Sequence, residues 1–158
     1  MTTNVELITQ FYTAFQNKDF KTMQKCYADN ATFSDEAFKN LDASQVRAMW
    51  EMLISRGKDL VVNYKNIQST PNGATAEWVA NYTFSKTGRK VENRIKATFV
   101  IENGKIVQHL DQFDFHKWTS QALGTMGLLL GWTSFLRNKV SQTAMGGLAD
   151  FMKKKEKY

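Results

Sequence analysis

His109-Leu110-Asp111 places an imidazole and a carboxylate two residues apart near the end of a segment that alternates apolar and polar residues. In an extended chain such residues project from one face, with Gln112 and Asp114 on the other. His109 and Asp111 can therefore serve as an acid/base pair, because an imidazole is the side chain whose ordinary titration lies nearest neutrality. The competing reading is a solvated sheet face or an ion pair with Arg94. A second carboxylate, Asp35, closes a short predicted strand over residues 31–35. In an apolar pocket it would hold its proton to higher pH and could shuttle it between carbon atoms. Asp35 reads equally as a turn or capping residue ahead of Glu36. Arg94 is the candidate electrophilic helper. No metal site is expected: His109 and His116 are seven apart, hence on opposite strand faces, and Cys26 is the single cysteine. No phosphate loop, nucleophile elbow or dinucleotide fingerprint occurs, so no cofactor is expected.

The segment that must position these groups is 74–116. Ala74, Ala76, Trp78, Ala80, Tyr82 and Phe84 fall on alternate positions, and so do Val91, Asn93, Ile95, Ala97, Phe99 and Ile101. Lys86-Thr87-Gly88-Arg89 and Asn103-Gly104 supply hairpin turns, and residues 105–116 read as a last long strand. Leu60, Val62 and Tyr64 begin the sheet ahead of Pro71-Asn72-Gly73. An antiparallel sheet with one wet face needs a cover for the other. Val5, Ile8, Phe11, Tyr12 and Phe15 form one apolar stripe on a helix over 4–16. Asp19 caps a short second helix with Phe20, Met23, Cys26 and Tyr27 on its buried face, and Asp42 or Ser44 caps a third that Gly57 stops. Two further helices follow His116: a glycine-interrupted apolar segment to Trp132, and an amphipathic helix through Leu136, Val140, Ala144, Leu148 and Phe151.

At 158 residues, 42% of them hydrophobic and 13% aromatic, the chain can both fill a core and line a pocket. Tyr12, Phe15, Trp50, Trp78 and Tyr82 are the candidate wall residues. Their spacing fits buried faces, which argues against base stacking and nucleic acid. The net charge of +6 is concentrated in Lys153, Lys154, Lys155 and Lys157, a solvated helix end. The first ten residues lack a basic start and an apolar core, and the greasy stretch 122–132 is too short to cross a bilayer. The expectation is a cytoplasmic protein with no membrane span.

Phe15-Gln16-Asn17-Lys18-Asp19-Phe20, Tyr27-Ala28-Asp29-Asn30-Ala31-Thr32-Phe33-Ser34-Asp35 and Asn103-Gly104-Lys105-Ile106 followed by His109-Leu110-Asp111, in this order of helices and strands, resemble the SnoaL-like branch of the NTF2-like superfamily. The resemblance spans about residues 4–116. It implies an α+β fold, the NTF2-like cone, in which a curved antiparallel sheet wraps around N-terminal helices and leaves a pocket at its wide end. Residues 1–116 would form that domain and 117–158 a helical extension packed on it. Relatives include ketosteroid isomerases, limonene epoxide hydrolases and polyketide cyclases. Asp35 matches the isomerases' general-base aspartate, while their tyrosine position falls on Phe11, one residue from Tyr12, and their second aspartate near Lys96 or Ala97. Asp111 matches one aspartate of the epoxide hydrolases and Arg94 their arginine, but Lys96 stands where the partner carboxylate belongs. The resemblance implies a small apolar ligand in the cone, isomerase, cyclase or hydrolase chemistry by carboxylates, and a homodimer. The alternative is a non-catalytic binding or assembly module.

Overall fold

The computed structural model describes residues 2–157. Helix α1 (Asn4–Gln16) starts at a capping box in which Thr3 accepts from the Glu6 amide and Glu6 reaches back to the Thr3 amide. Of its stripe, Ile8, Phe11, Tyr12 and Phe15 are buried, while Val5 in the first turn is exposed. Asp19 caps α2 (Phe20–Lys25), and Asp42 with Gln45 caps α3 (Ala43–Arg56). The three N-terminal helices thus form as their caps and apolar spacing require.

Five strands make one sheet in the order β1-β5-β4-β3-β2: β1 (Tyr27–Ser34), β2 (Val61–Thr70), β3 (Gly73–Phe84), β4 (Arg89–Glu102) and β5 (Lys105–Gln112). Neighbours are antiparallel except β1 and β5, which are parallel. The β4–β5 turn is tight because Asn103 and Gly104 both adopt positive φ, 52° and 73°, as a two-residue hairpin needs. On the inner face, one row runs Asp111, Ala97, Ala76 and the next His109, Phe99, Ala74. These alanines let the aromatic face of α1 approach the sheet, and the row of large side chains alternates with a row of small ones.

Three sequence expectations are corrected. The first strand begins at Tyr27 rather than 31, so Tyr27 belongs to the sheet and not to the face of α2. The last strand stops at Gln112, since Asp114 turns the chain by capping α4 (Phe115–Leu123) through the Lys117 amide at 3.0 Å. Asp114 and His116 are therefore not strand residues. Finally, the region after His116 holds three helices, not two: α4, α5 (Thr125–Leu130) and α6 (Ser134–Glu156).

Helix α4 lies where β5 has ended and β4 would otherwise present a bare edge. Gln121 takes the place of a strand there: its Oε1 accepts from the Glu92 amide and its Nε2 donates to the Glu92 carbonyl. Helix α6 crosses from the turn after β1, where Arg137 pairs with Glu36 at 2.9 Å, to α3, where Lys155 pairs with Glu51. Leu148 joins the main core from this helix. No helix among the described residues is long and apolar enough to cross a membrane.

The α4–α5 corner depends on two glycines. Gly124 sits at φ 69° and ψ −134°, a region that side chains with a Cβ avoid. At Gly127 an added Cβ would lie 1.9 Å from the Thr119 carbonyl oxygen. Gly127→Ala should therefore push α5 off α4 and lower the melting temperature by about 3–8 °C, the effect of about 1–3 kcal/mol of overpacking. A thermal scan of the variant that matches the wild type would show that the corner is not close-packed.

Candidate active site

The inner face of β5 carries His109 and Asp111, both essentially inaccessible. Their spacing brings His109 Nε2 to 2.8 Å from Asp111 Oδ1. On its other side His109 Nδ1 stands 2.8 Å from the Tyr27 hydroxyl, which accepts from Trp50 Nε1 at 2.9 Å. Direction follows from donor chemistry. The indole can only donate and a carboxylate can only accept, so the Tyr27 hydroxyl accepts from Trp50 and His109 Nε2–H donates to Asp111. The result is one chain from Trp50 through Tyr27 and His109 to Asp111 Oδ1, with Oδ2 outside it.

Aromatic rings hold this chain in place. Phe99 lies against the His109 ring at 4.2 Å, Phe33 meets its edge at 4.9 Å, and Tyr27 stacks on it at 6.1 Å. Phe33 faces His109 because β1 and β5 pair in register at those residues.

Asp35 follows β1 and heads the turn to Phe38. Its Oδ1 accepts from the amides of Ala37 and Phe38 at 2.8 and 2.7 Å, so the turn role is real. Yet burial pushes its carboxyl from the ordinary 3.8 up to about 7, with the two amide bonds opposing and the Asp111 charge adding to the rise. Burial likewise raises the Tyr82 hydroxyl, the bond from Trp118 opposes this, and the Asp35 charge adds. The Tyr82 hydroxyl accepts from Trp118 Nε1 at 2.7 Å.

Among the described residues, two buried donors have no partner, the Tyr12 hydroxyl and Trp78 Nε1. Burial raises the Tyr12 hydroxyl well above its ordinary range, and the charge of Asp111 adds to the shift. The two rings are 6.2 Å apart. Unsatisfied interior donors are uncommon, and each calls for an explanation. Phe15 and Trp50 contribute packing: Phe15 meets Trp50 at 5.0 Å and Trp78 at 5.2 Å.

Arg94 lies elsewhere. It falls on the outer face of β4, with its side chain 64% exposed and paired to Glu92 at 2.6 Å. Lys96 is exposed on that face as well. The strand's period of two decides this, because Val91, Asn93, Ile95, Ala97 and Phe99 occupy the inner positions. An arginine between two aspartates is thus not assembled on this strand. Among the described residues, no group of three His, Cys, Asp or Glu could hold a metal ion. Cys26 is buried, and its thiol is pushed up to about 11 by that burial. Two open hollows, about 490 Å³ along the outer side of α1 and about 400 Å³ beside Arg47 and Lys105, reach neither Asp35 nor Asp111.

Sequence reasoning missed the parts played by Tyr27 and Trp118. Tyr27 could be found only by knowing that β1 runs beside β5, and Trp118 only from the docking of α4.

A sequence profile of the SnoaL-like domain matches residues 8–109. The chain belongs to the SnoaL-like domain family. No curated protein is significantly similar in sequence. Among solved structures, an LEH-like epoxide hydrolase of M. tuberculosis superposes with a TM-score of 0.64 at 18% identity, covering 80% of this chain and 95% of that one. IdmH of Streptomyces antibioticus, a putative polyketide cyclase, gives 0.63 at 20% identity over 77% and 99%. An NTF2-like protein of Burkholderia thailandensis gives 0.64 at 18% over 72% and 92%. This SnoaL-like chain therefore has the NTF2-like α+β fold, with its curved, unclosed sheet.

Asp35 makes the stability of the SnoaL-like fold pH-dependent. The folded carboxyl keeps its proton to about pH 7 and the unfolded one to about 3.8, so the native state binds the extra proton between them. Stabilisation is complete below the lower value and lost as pH rises through the upper. Between about pH 5 and pH 8 the wild type should lose ~2 kcal/mol, or about 4–8 °C in Tm, with allowance made for solvent at this half-buried group. Asp35→Asn should remove that slope, and parallel Tm curves for the two proteins would contradict the assignment.

Proposed function

We propose that this SnoaL-like protein binds a small apolar carbonyl compound inside the cone and transfers protons by general acid/base catalysis. The observation that carries the reading is the buried chain Trp50–Tyr27–His109–Asp111, which ends on Asp111 Oδ1 and leaves Oδ2 outside it. A carboxylate so held is aimed without needing solvent, and a buried polar chain of four side chains is hard to account for by packing alone.

In the proposed reaction Asp111 Oδ2 removes a proton from the carbon next to the carbonyl, and the C–H electron pair moves into an enolate. His109 does not leave the carboxylate: its Nε2–H steadies Oδ1 and fixes the orientation of Oδ2. The unpartnered donors of Tyr12 and Trp78 receive the oxygen on which the charge develops. Asp35, protonated in part at neutrality, gives a proton either to the far carbon of a dienolate, when the ligand carries a β,γ double bond, an isomerisation, or to the oxygen left when the enolate attacks a second carbonyl, a cyclisation; Asp111 then loses its proton to water and Asp35 regains one from it. Water-dependent opening of an epoxide by two aspartates and an arginine is less favoured, since Arg94 faces away.

A second reading rests on the packed interior. Tyr12, Phe15, Trp50 and Trp78 fill much of the cone. On that reading the protein stores a ligand without turning it over, and the Tyr12 and Trp78 donors only fix the ligand's orientation.

Hydrogen–deuterium exchange into 2-tetralone, followed by NMR, separates the two. The wild type should accelerate exchange over buffer. Asp111→Asn should reduce that acceleration by about 10²-fold or more, the usual share of a positioned base. The rate should fall above about pH 7 as Asp35 ionises. Binding without exchange would favour storage. Tyr12→Phe gives an independent check: loss of an unsatisfied buried hydroxyl should leave Tm unchanged or raise it by about 1–4 °C, while 2-tetralone binding weakens by about tenfold. A destabilised Tyr12→Phe protein with unaltered binding would show that the hydroxyl serves the fold.

A further inference from the structure

Helix α5 reverses the usual order of an amphipathic helix. Its packed face consists of glycines: Gly127 lies against the Thr119 carbonyl, and Gly131 follows one turn later against Thr119 and His116. Every large apolar side chain of the segment is consequently turned outward. Met126 is 58% exposed, Leu128 55%, Leu129 69%, Leu130 42%, Trp132 76% and Phe135 73%. Soluble monomers rarely leave so many large apolar groups together in water. The arrangement is also rigid. The His116 ring stacks on Trp132 at 3.8 Å, and its Nε2 donates to the Leu128 carbonyl at 3.0 Å.

The surroundings of this face are basic. Residues 118–136 contain no charged side chain. At the start of α5, Gly124 touches Arg89, whose Nε donates to the Gln121 carbonyl, and the same hairpin tip exposes Lys86 and Lys90. Lys117 is exposed on α4 beside the other end of α5, and Lys139 lies one helical turn beyond Phe135 on α6. Arg137 is engaged with Glu36. The nearby acids are also in use, Asp114 as the α4 cap and Glu92 paired with Arg94.

We propose that the α5 face is a docking surface for an anionic lipid bilayer, on which the protein rests without crossing it. A rigid apolar tip bearing a tryptophan and a phenylalanine suits the boundary between headgroups and acyl chains, and a surrounding ring of lysine and arginine suits anionic headgroups. The same ring argues against a second copy as the occupant, because self-association through this face would bring two basic rims together. The proposal is independent of the chemistry assigned to Asp111 and Asp35.

The test is co-sedimentation of the full chain with vesicles of phosphatidylcholine, with and without phosphatidylglycerol. The wild type should pellet with the anionic vesicles, with a blue shift in tryptophan emission. Binding should weaken at least about tenfold in a Leu129→Ser/Trp132→Ser protein, since each change removes an inserted apolar group, and also in Lys86→Gln/Lys90→Gln/Lys139→Gln. Both variants alter exposed positions only, so an unchanged melting curve verifies that each is folded. Failure of the folded wild type to pellet with anionic vesicles would overturn the proposal, as would pelleting that persists unchanged in the Leu129→Ser/Trp132→Ser protein. Light scattering covers the remaining occupant: a wild-type dimer that those two substitutions convert to monomer, with no vesicle binding, would assign the face to a second copy.

Discussion

An imidazole cannot be placed at the centre of an aromatic core unless both of its nitrogens are satisfied, and His109 is such a group. Its two hydrogen bonds, to Tyr27 and Asp111, tie the first strand to the last and bind Trp50 of α3 into the same chain. Loss of either partner would leave a buried polar atom unpaired, at a penalty of about 1–3 kcal/mol. The rings of Phe33, Phe99 and Tyr27 around His109 then have one arrangement available. The inner rows of the sheet and the orientation of α1 and α3 are all consistent with that single requirement.

The chemistry follows from the contrast between two carboxylates. Asp111 is held by a histidine and keeps one oxygen open. Asp35 is held by two backbone amides but is desolvated enough to retain its proton near neutrality. Groups of one chemical type, placed in different surroundings within reach of each other's field, can take complementary roles in proton transfer. The structural use of Asp35 and its proposed catalytic use do not conflict, since the turn engages only Oδ1.

Much of this was legible in the residues. The alternation through Trp78 and Ile95, the Asn103-Gly104 turn and the caps at Asp19 and Asp42 are local signals, and each element formed where its signal stood. The pairing of His109 with Asp111 was legible for the same reason, being a matter of strand period. Arg94 failed because it was placed by resemblance to an arginine of the epoxide hydrolases, whereas the alternation of Val91, Ile95, Ala97 and Phe99 turns it outward, as the register that sets Ala97 beside Asp111 bears out. The other failures were non-local. Tyr27 looked like part of a helix stripe because its spacing from Met23 is four. The end of β5 was overestimated because Phe113 and Phe115 continue an alternation that Asp114 breaks by capping.

The parallel seam between β1 and β5 governs the order of events as the chain folds. Tyr27 pairs with Ile106 and Phe33 with His109, partners far apart in sequence, whereas the three hairpins β2–β3, β3–β4 and β4–β5 each join neighbouring segments. Closing a loop of that length is a late and slow step compared with forming a hairpin. By that rule the link from His109 to Tyr27 and Trp50 is expected to form late, whereas the contact between His109 and Asp111 lies within one strand. Closing the sheet and completing the buried chain are thus one requirement met by the same seam.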